Sequence, residues 1–275
     1  MRNRRLRSVI ALMVFIFGLT GCAWQDQLTA EEAFNRALSG LSGIDNFSFR
    51  GETAIRSGET GPFEESLAFE GNLRHHSDLT LSSKERSTVI KNDKMSAESA
   101  YKSNERTVTL KRKDGKWSTL SSEHAGGMWM NRLNPLELLE YMGKSEKTVT
   151  RELGAARGTK VLRVELSPEA AAHMVQESLD DQMKALAERI ERKDDPLYSD
   201  DPKVRKRLKE IWERDYHEMK NMLNEADAVS VCHVTINRKS QLPTKMTMER
   251  RLSFVDEQGK TRTETLLSDV TFTGY

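Results

Sequence analysis

The residue whose type and position most clearly indicate a chemical role is Cys22. It directly follows Leu19, Thr20 and Gly21 near the start of the chain. The segment before it begins with four arginines and no acid, and it continues as an apolar run over residues 9–19. A basic segment, a short apolar run and small residues at the end are the parts of a secretory signal peptide. As a helix the run covers about 16 Å, much less than the roughly 30 Å core of a bilayer. The pattern therefore predicts a signal peptide over residues 1–21.

The four residues ending at Cys22 resemble the lipobox of bacterial lipoproteins. In that family the Cys becomes the mature N-terminus and carries lipid, so the resemblance implies acylation at Cys22, with chains such as palmitate, and a lipidated tether over residues 22–28. A plain signal peptide with a Cys by chance is the alternative. Acylation implies an extracytoplasmic protein anchored to the cell membrane. Ala23 is not the Asp that the family associates with inner-membrane retention, so a host with two membranes would place it on the outer one.

The other reactive side chains offer little for catalysis or metal binding. The chain has six histidines and no HExxH, CxxC, EF-hand or GxSxG pattern. His75 and His76 are predicted on one strand, where neighbours point to opposite faces, and His124 stands in a loop without a nucleophile. The acids between Asp194 and Asp201 are typical of helix ends and turns, with a Ca²⁺ site as the lesser alternative. We therefore expect no enzyme, no catalytic residue, no metal site and no cofactor.

The composition argues against a nucleic-acid partner and against stabilisation by an internal disulfide. Without residues 1–21 the chain keeps 254 residues with 39 basic and 42 acidic side chains, so nothing favours a nucleic-acid partner. Besides Cys22 there is a single cysteine, Cys232, in an apolar strand pattern. It is expected to be a buried, unpaired side chain. The exported domain, residues 29–275, must then rely on its apolar core.

Periodicity predicts a sheet-rich domain that opens with one helix. Thr29 and Glu32 form a capping-box pattern, and from Phe47 onward apolar residues alternate with polar ones, as in half-buried antiparallel strands. Asp114-Gly115 is a type I′ hairpin signal, and Asn134-Pro135 begins a short helix. Strand patterns return after residue 158 and again from residue 229 to the end.

A helical hairpin interrupts the strands over residues 167–226. Ser167-Pro168 and Asp201-Pro202 are both a capping residue followed by proline at the first helical position. Each helix carries a narrow apolar seam, and its other faces are crowded with charge. The connection between the two helices is short, so they are expected to be antiparallel neighbours.

This order of elements is similar to that of the LolA/LolB/LppX superfamily of envelope proteins. The closing segment carries most of the likeness, with a strand at 231–237, a turn into Leu242-Pro243 and a final strand at 267–272. The resemblance implies an α+β fold, a strongly curved antiparallel sheet, or incomplete β-barrel, with helices over its concave side. The hairpin is longer and more charged than the helices of LolA itself, and no arginine of that family can be aligned here.

The resemblance also implies an apolar groove, between sheet and helices, that binds a lipid or other amphiphile. Residues at the predicted inward positions would line it: Phe47, Leu67, Phe69, Leu79, Leu81, Val234, Ile236, Met246, Met248 and Phe254. The same residues would be ordinary core if the protein's own side chains fill the space. A second hypothesis is a structural or regulatory module, in which the charged hairpin docks another envelope protein.

Overall fold

The structure is a computed structural model that describes residues 28–63, 65–86, 105–119, 130–192, 195, 198, 200–256 and 258–275. Cys22, the predicted signal peptide and His124 lie outside the described residues. Within them the helices are α1 (Ala30–Ser42), α2 (Pro135–Lys144), α3 (Pro168–Glu191) and α4 (Pro202–Asn224), with a 3-10 turn at Asn131–Leu133. The strands are β1 (Phe47–Ser57), β2 (Glu65–Arg74), β3 (Asp78–Arg86), β4 (Glu105–Lys113), β5 (Lys116–Thr119), β6 (Lys147–Arg151), β7 (Thr159–Leu166), β8 (Asp227–Asn237), β9 (Pro243–Val255) and β10 (Thr261–Thr273).

All ten strands belong to one antiparallel sheet in the order β5-β4-β3-β2-β1-β10-β9-β8-β7-β6. The first and last strands of the domain pair at its centre, where Phe49 of β1 lies opposite Phe272 of β10. Among the described strands β5 and β6 form the two edges, so the sheet is open. The predicted α+β class, an antiparallel sheet that does not close into a barrel and has helices packed on it, is confirmed.

Local signals in the sequence account for where the helices begin. Thr29 and Glu32 form a reciprocal capping box, with 2.8 Å from the Thr29 N–H to the Glu32 carboxylate. The Asn134 side chain accepts a hydrogen bond from the Leu136 N–H at 3.1 Å and opens α2. Ser167 and Asp201 cap α3 and α4 in the same way, each followed by proline. These caps satisfy amide groups that a helix start leaves without internal partners.

One face of the sheet carries the core. Alternate side chains of the central strands point to the helices, and in one half of the sheet most of these are buried. Phe34 of α1 and Leu139 of α2 lie at 0% and 1% exposure against this face. Cys232 is also fully buried on it, and burial raises the pKa of its thiol to about 12. The thiol is therefore an inert part of the core.

The helical hairpin predicted over residues 167–226 is formed by α3 and α4. The Trp212 indole N–H donates to the Met183 carbonyl at 2.8 Å, and the Tyr216 hydroxyl lies 3.1 Å from the Asp180 carboxylate. Within the described residues no helix combines the length and apolarity needed to span a bilayer.

Two local expectations were wrong. His75 and His76 lie in the turn between β2 and β3 with φ of 51° and 58°, not on a strand. The His76 N–H donates to the Asp45 carbonyl and the His75 N–H to the Asn46 side-chain oxygen, so the turn depends on residues outside its own segment. Strand β6 was not expected, because Val149 is its single large apolar residue.

Candidate functional site

The ten residues predicted to line a groove all lie on the helix-facing side of the sheet. Eight are at most 7% exposed and belong to the core: Phe47, Phe69, Leu79, Leu81, Val234, Ile236, Met246 and Met248. Their neighbours are the protein's own side chains. Leu67 and Phe254 are half-buried and lie towards the other half of the sheet.

That other half of the helix-facing side contains a continuous row of incompletely buried apolar side chains. We call it the helix-side groove and define it by Ile55, Leu67, Leu252, Phe254 and Leu266. Ile55 is 36% exposed, and the other four are half-buried. Ile55 lies directly opposite Leu266, and the remaining members are diagonal or same-strand neighbours. Side chains at such positions touch one another, so the row forms one apolar surface across four strands.

Arg250 lies inside this apolar row. It alternates with Met248 and Leu252 on β9, so its side chain points to the helices, and it is registered opposite Leu266 and Ser230. The Arg250 side chain keeps some contact with solvent, yet burial lowers its pKa, and Glu264 acts weakly in the opposite direction. The Arg250 guanidinium is therefore partly desolvated while its side chain is still reached by solvent.

Arg132, in the turn before α2, shares this environment. Its side chain is partly exposed, but burial, together with repulsion by Arg250, lowers its pKa to about 10. At neutral pH the side chain is cationic. Two like charges that are near one another and partly desolvated are costly unless an anion joins them.

Acids of α2 and α3 are close enough to one another to interact. The pKa of Glu137 is raised to about 7, first by burial and then by the charges of Glu140, Asp181 and Glu177, with a hydrogen bond from Asn131 acting in the opposite direction. Negative charge on Glu137 is therefore disfavoured in the folded protein.

Replacing Glu137 with glutamine is expected to flatten the pH dependence of stability. The folded state holds the Glu137 proton up to about pH 7, whereas the unfolded chain releases it near pH 4.5, as an ordinary glutamate does. The stabilising contribution is therefore complete below about pH 4.5 and disappears as the pH rises through 7. Urea unfolding between pH 4.5 and 8 measures this. Glu59→Gln, at an exposed loop position, is the matched control and should follow the wild type.

A small cavity of about 40 Å³ lies between α1, α2 and the sheet. Apolar side chains such as Leu41 and Leu139 line it, together with the ion pair of Arg112 and Glu140 at 2.9 Å. This volume holds a few water molecules and is too small for an acyl chain.

A larger, open groove of about 610 Å³ crosses the helix-free face of the sheet. Its lining includes Val231 and Leu267, but also several charged side chains. Arg251 of this lining pairs with Glu249 at 3.1 Å, and Asp269 pairs with Lys245 at 2.7 Å. Its volume suits a ligand, whereas its charge-balanced lining is typical of a solvated sheet face.

The part of the chain that the structure describes contains no group of three or more His, Cys, Asp or Glu side chains that could hold a metal ion. Arg132, Glu137 and Arg250 were not predicted as site residues. For Arg250 a signal was present, because it has the same strand parity as Met246, Met248 and Phe254. The other two positions are adjacent to the groove only through the packing of α2.

Comparison with known proteins gives similarity of structure and not of sequence. No family model matches the chain, and no curated protein sequence matches it. Among solved structures it is similar to lipovitellin, at 9% identity and a TM-score of 0.38 over 83% of this chain and 25% of the other. The match thus spans a quarter of lipovitellin's length.

Two bacterial structures match over nearly their whole length. A LolA superfamily protein from Nitrosomonas europaea is 8% identical, with a TM-score of 0.26 over 90% of this chain and 94% of that one. A putative outer membrane lipoprotein-sorting protein domain from Vibrio parahaemolyticus is 9% identical, with a TM-score of 0.24 over 89% and 93%. At these identities the likeness concerns the fold alone. The LolA superfamily, which the sequence pattern resembles, is thus among the structural neighbours of this chain.

Proposed function

We propose that the protein is a non-enzymatic, lipid-anchored envelope protein that binds a lipid or other amphiphile in the helix-side groove. The observation that carries the proposal is the contrast between the two halves of one sheet face. In one half, inward side chains such as Leu81 and Val234 are completely buried, whereas Ile55 and Leu266 in the other half remain accessible. A contiguous apolar surface that the protein leaves accessible is typical of a binding site.

Burial of an acyl chain against this surface would be favourable in free energy. Each methylene removed from water contributes about 0.8 kcal/mol, so a chain lying along the row gains several kcal/mol before the cost of ordering it. Lipid–protein interactions are the subject of the lipovitellin structure, and lipoprotein sorting appears in the description of the Vibrio domain.

Attachment through Cys22 would hold the groove beside a membrane. The support for this part is the signal-peptide pattern and the lipobox resemblance at residues 19–22. The protein would then receive or present its ligand at a membrane surface outside the cytoplasm.

The alternative of a docking module has less support in the structure. Exposed charges of α4 pair with one another along the helix, as Arg207 does with Glu210 at 3.4 Å and Arg214 with Glu218 at 3.9 Å. Such pairs are typical of a solvated helix face. We assign the hairpin to covering the sheet, because α3 packs on β7 and β8 and α4 on β9.

Adjacent leucines on β10 provide the test. Leu266 belongs to the helix-side groove, and Leu267 lines the groove on the opposite face. The full chain with Cys22→Ser, which carries no acyl group, is purified without detergent from a bacterial host, and its organic extract is analysed by mass spectrometry. We expect a stoichiometric lipid that falls about tenfold or more in Leu266→Glu, because a buried charge opposes binding, and that persists in Leu267→Glu.

The reverse pattern, with the lipid lost only in Leu267→Glu, would place the ligand on the helix-free face. A well-folded protein without lipid, compared with a control protein purified in parallel, would refute lipid binding. Circular dichroism of each variant shows that the comparison is made between folded proteins.

A further inference from the structure

The helix-side groove carries two cationic side chains that make no direct ion pair within the described residues, although Glu264 lies diagonal to Arg250 on the same face. Within the described residues neither Arg132 nor Arg250 forms an ion pair or a hydrogen bond with a carboxylate, although Arg250 is within electrostatic range of Glu264. Elsewhere the arginines of the sheet commonly have partners, as Arg112 has Glu140 and Arg251 has Glu249. The two groove arginines therefore differ from their neighbours on the same strands and helices.

A polar atom beside Arg250 is also unsatisfied. Ser230 on β8 is registered opposite Arg250, and its side chain is 0% exposed. Its hydroxyl has no hydrogen-bond partner among the described residues. A buried hydroxyl without a partner costs about 1–3 kcal/mol, a cost that a ligand atom can remove. The hydroxyl and the guanidinium point to the same side of the sheet.

We propose that the helix-side groove selects amphiphiles with an anionic head group, a carboxylate or a phosphate, which Arg250 and Arg132 bind while the acyl chain covers Ile55 and Leu266. This inference rests on the proposed function and specifies the ligand class of the same site. Guanidinium groups suit both anions because their planar fork donates two parallel hydrogen bonds. The Ser230 hydroxyl donates a further hydrogen bond to the head group.

The experiment compares ligands that differ only in the head group. The full-length Cys22→Ser protein is titrated calorimetrically with dodecanoate, dodecyl phosphate, 1-dodecanol and inorganic phosphate. We expect both anionic amphiphiles to bind at least about tenfold more tightly than dodecanol, since a charge-assisted hydrogen bond is worth at least that factor. Arg250→Gln is expected to remove this preference, so that the two anionic amphiphiles bind no more tightly than dodecanol.

Arg251→Gln is the matched control, because it removes the same charge from the next residue, which lies on the opposite face. It should preserve the preference for anions. Arg132→Gln gives a second test at a more exposed position and should reduce the preference as well.

The outcomes separate this inference from the proposed function. Equal affinity for dodecanol and the two anions, or an unchanged preference in both Arg250→Gln and Arg132→Gln, would overturn the head-group inference and leave amphiphile binding intact. Inorganic phosphate that binds as tightly as dodecyl phosphate would show a site for a free anion, which also overturns it. Failure of all three amphiphiles to bind would overturn both proposals.

Discussion

Replacing Phe49 with alanine is expected to lower the free energy of unfolding by about 3–5 kcal/mol. The Phe49 side chain is 2% exposed, and its ring centroid lies 6.5 Å from that of Phe69 and 6.2 Å from that of Phe272. Opposite it on β2 stands Gly71, which has no side chain that could move into the vacated space. The cavity therefore stays open. Urea unfolding measures the loss as a lower midpoint at an unchanged slope.

A double-mutant cycle tests the reason for this effect. A methyl group added at Gly71 would overlap the Phe49 ring, so Gly71→Ala alone should be destabilising. In the Phe49→Ala background the same change meets no ring and should cost much less. Phe254→Ala, at a half-buried position, is the control and should lose less than Phe49→Ala. Strictly additive costs for Phe49 and Gly71 would contradict this account.

Replacing Asp195 with alanine is expected to destabilise the helical hairpin by about 3–5 kcal/mol. Arg189, near the end of α3, donates to both Asp195 oxygens, from Nε at 2.8 Å and from Nη2 at 3.0 Å. The two side chains are only 7% and 2% exposed. Without Asp195 the Arg189 guanidinium would be buried and unpaired. Opening of the hairpin would return this charge to solvent, so the variant favours the open state. Hydrogen exchange of the α3 and α4 amides, together with thermal unfolding, measures the loss.

Two further variants distinguish a buried ion pair from a general effect of charge. Glu210→Ala breaks an exposed pair on α4 and should change stability by no more than about 0.5 kcal/mol. Arg189→Met combined with Asp195→Leu removes both charges and should recover much of the stability lost in Asp195→Ala. If the double variant were as unstable as the single one, the unpaired charge would not be the cause.

The sequence predicted those elements whose signals are local. The Asp114-Gly115 reversal adopts φ of 52° and 78°, as a type I′ turn requires, and the three helices that start with proline begin where their caps predicted. Elements that depend on distant partners were missed. Strand β6 exists because it pairs with β7, and the turn at His75 exists because Asn46 and Asp45 hold it from another part of the chain.

The candidate site also combines features that were predictable from local sequence with features that depend on distant residues. Strand parity placed all ten predicted residues on the correct face, because alternation is a property of each strand alone. It could not distinguish the packed half of that face from the accessible half, since burial depends on which helix covers which strands. The charged residues were missed because a lone arginine in an apolar pattern looks like an interruption. Arg250 is recognised as a candidate binding residue only from its proximity to Arg132 and Ser230, which belong to other elements.

The sheet ends in its two shortest strands, of four residues in β5 and five in β6. A long, unpaired edge would present a ladder of free backbone groups on which a second copy could grow strand by strand. Here the exposed ladder is too short to template such growth, and β6 begins with Lys147, whose ammonium group donates inward to the Gly143 and Ser145 carbonyls. In the part of the chain that the structure describes, an open sheet of ten strands can therefore persist without polymerising through its edges.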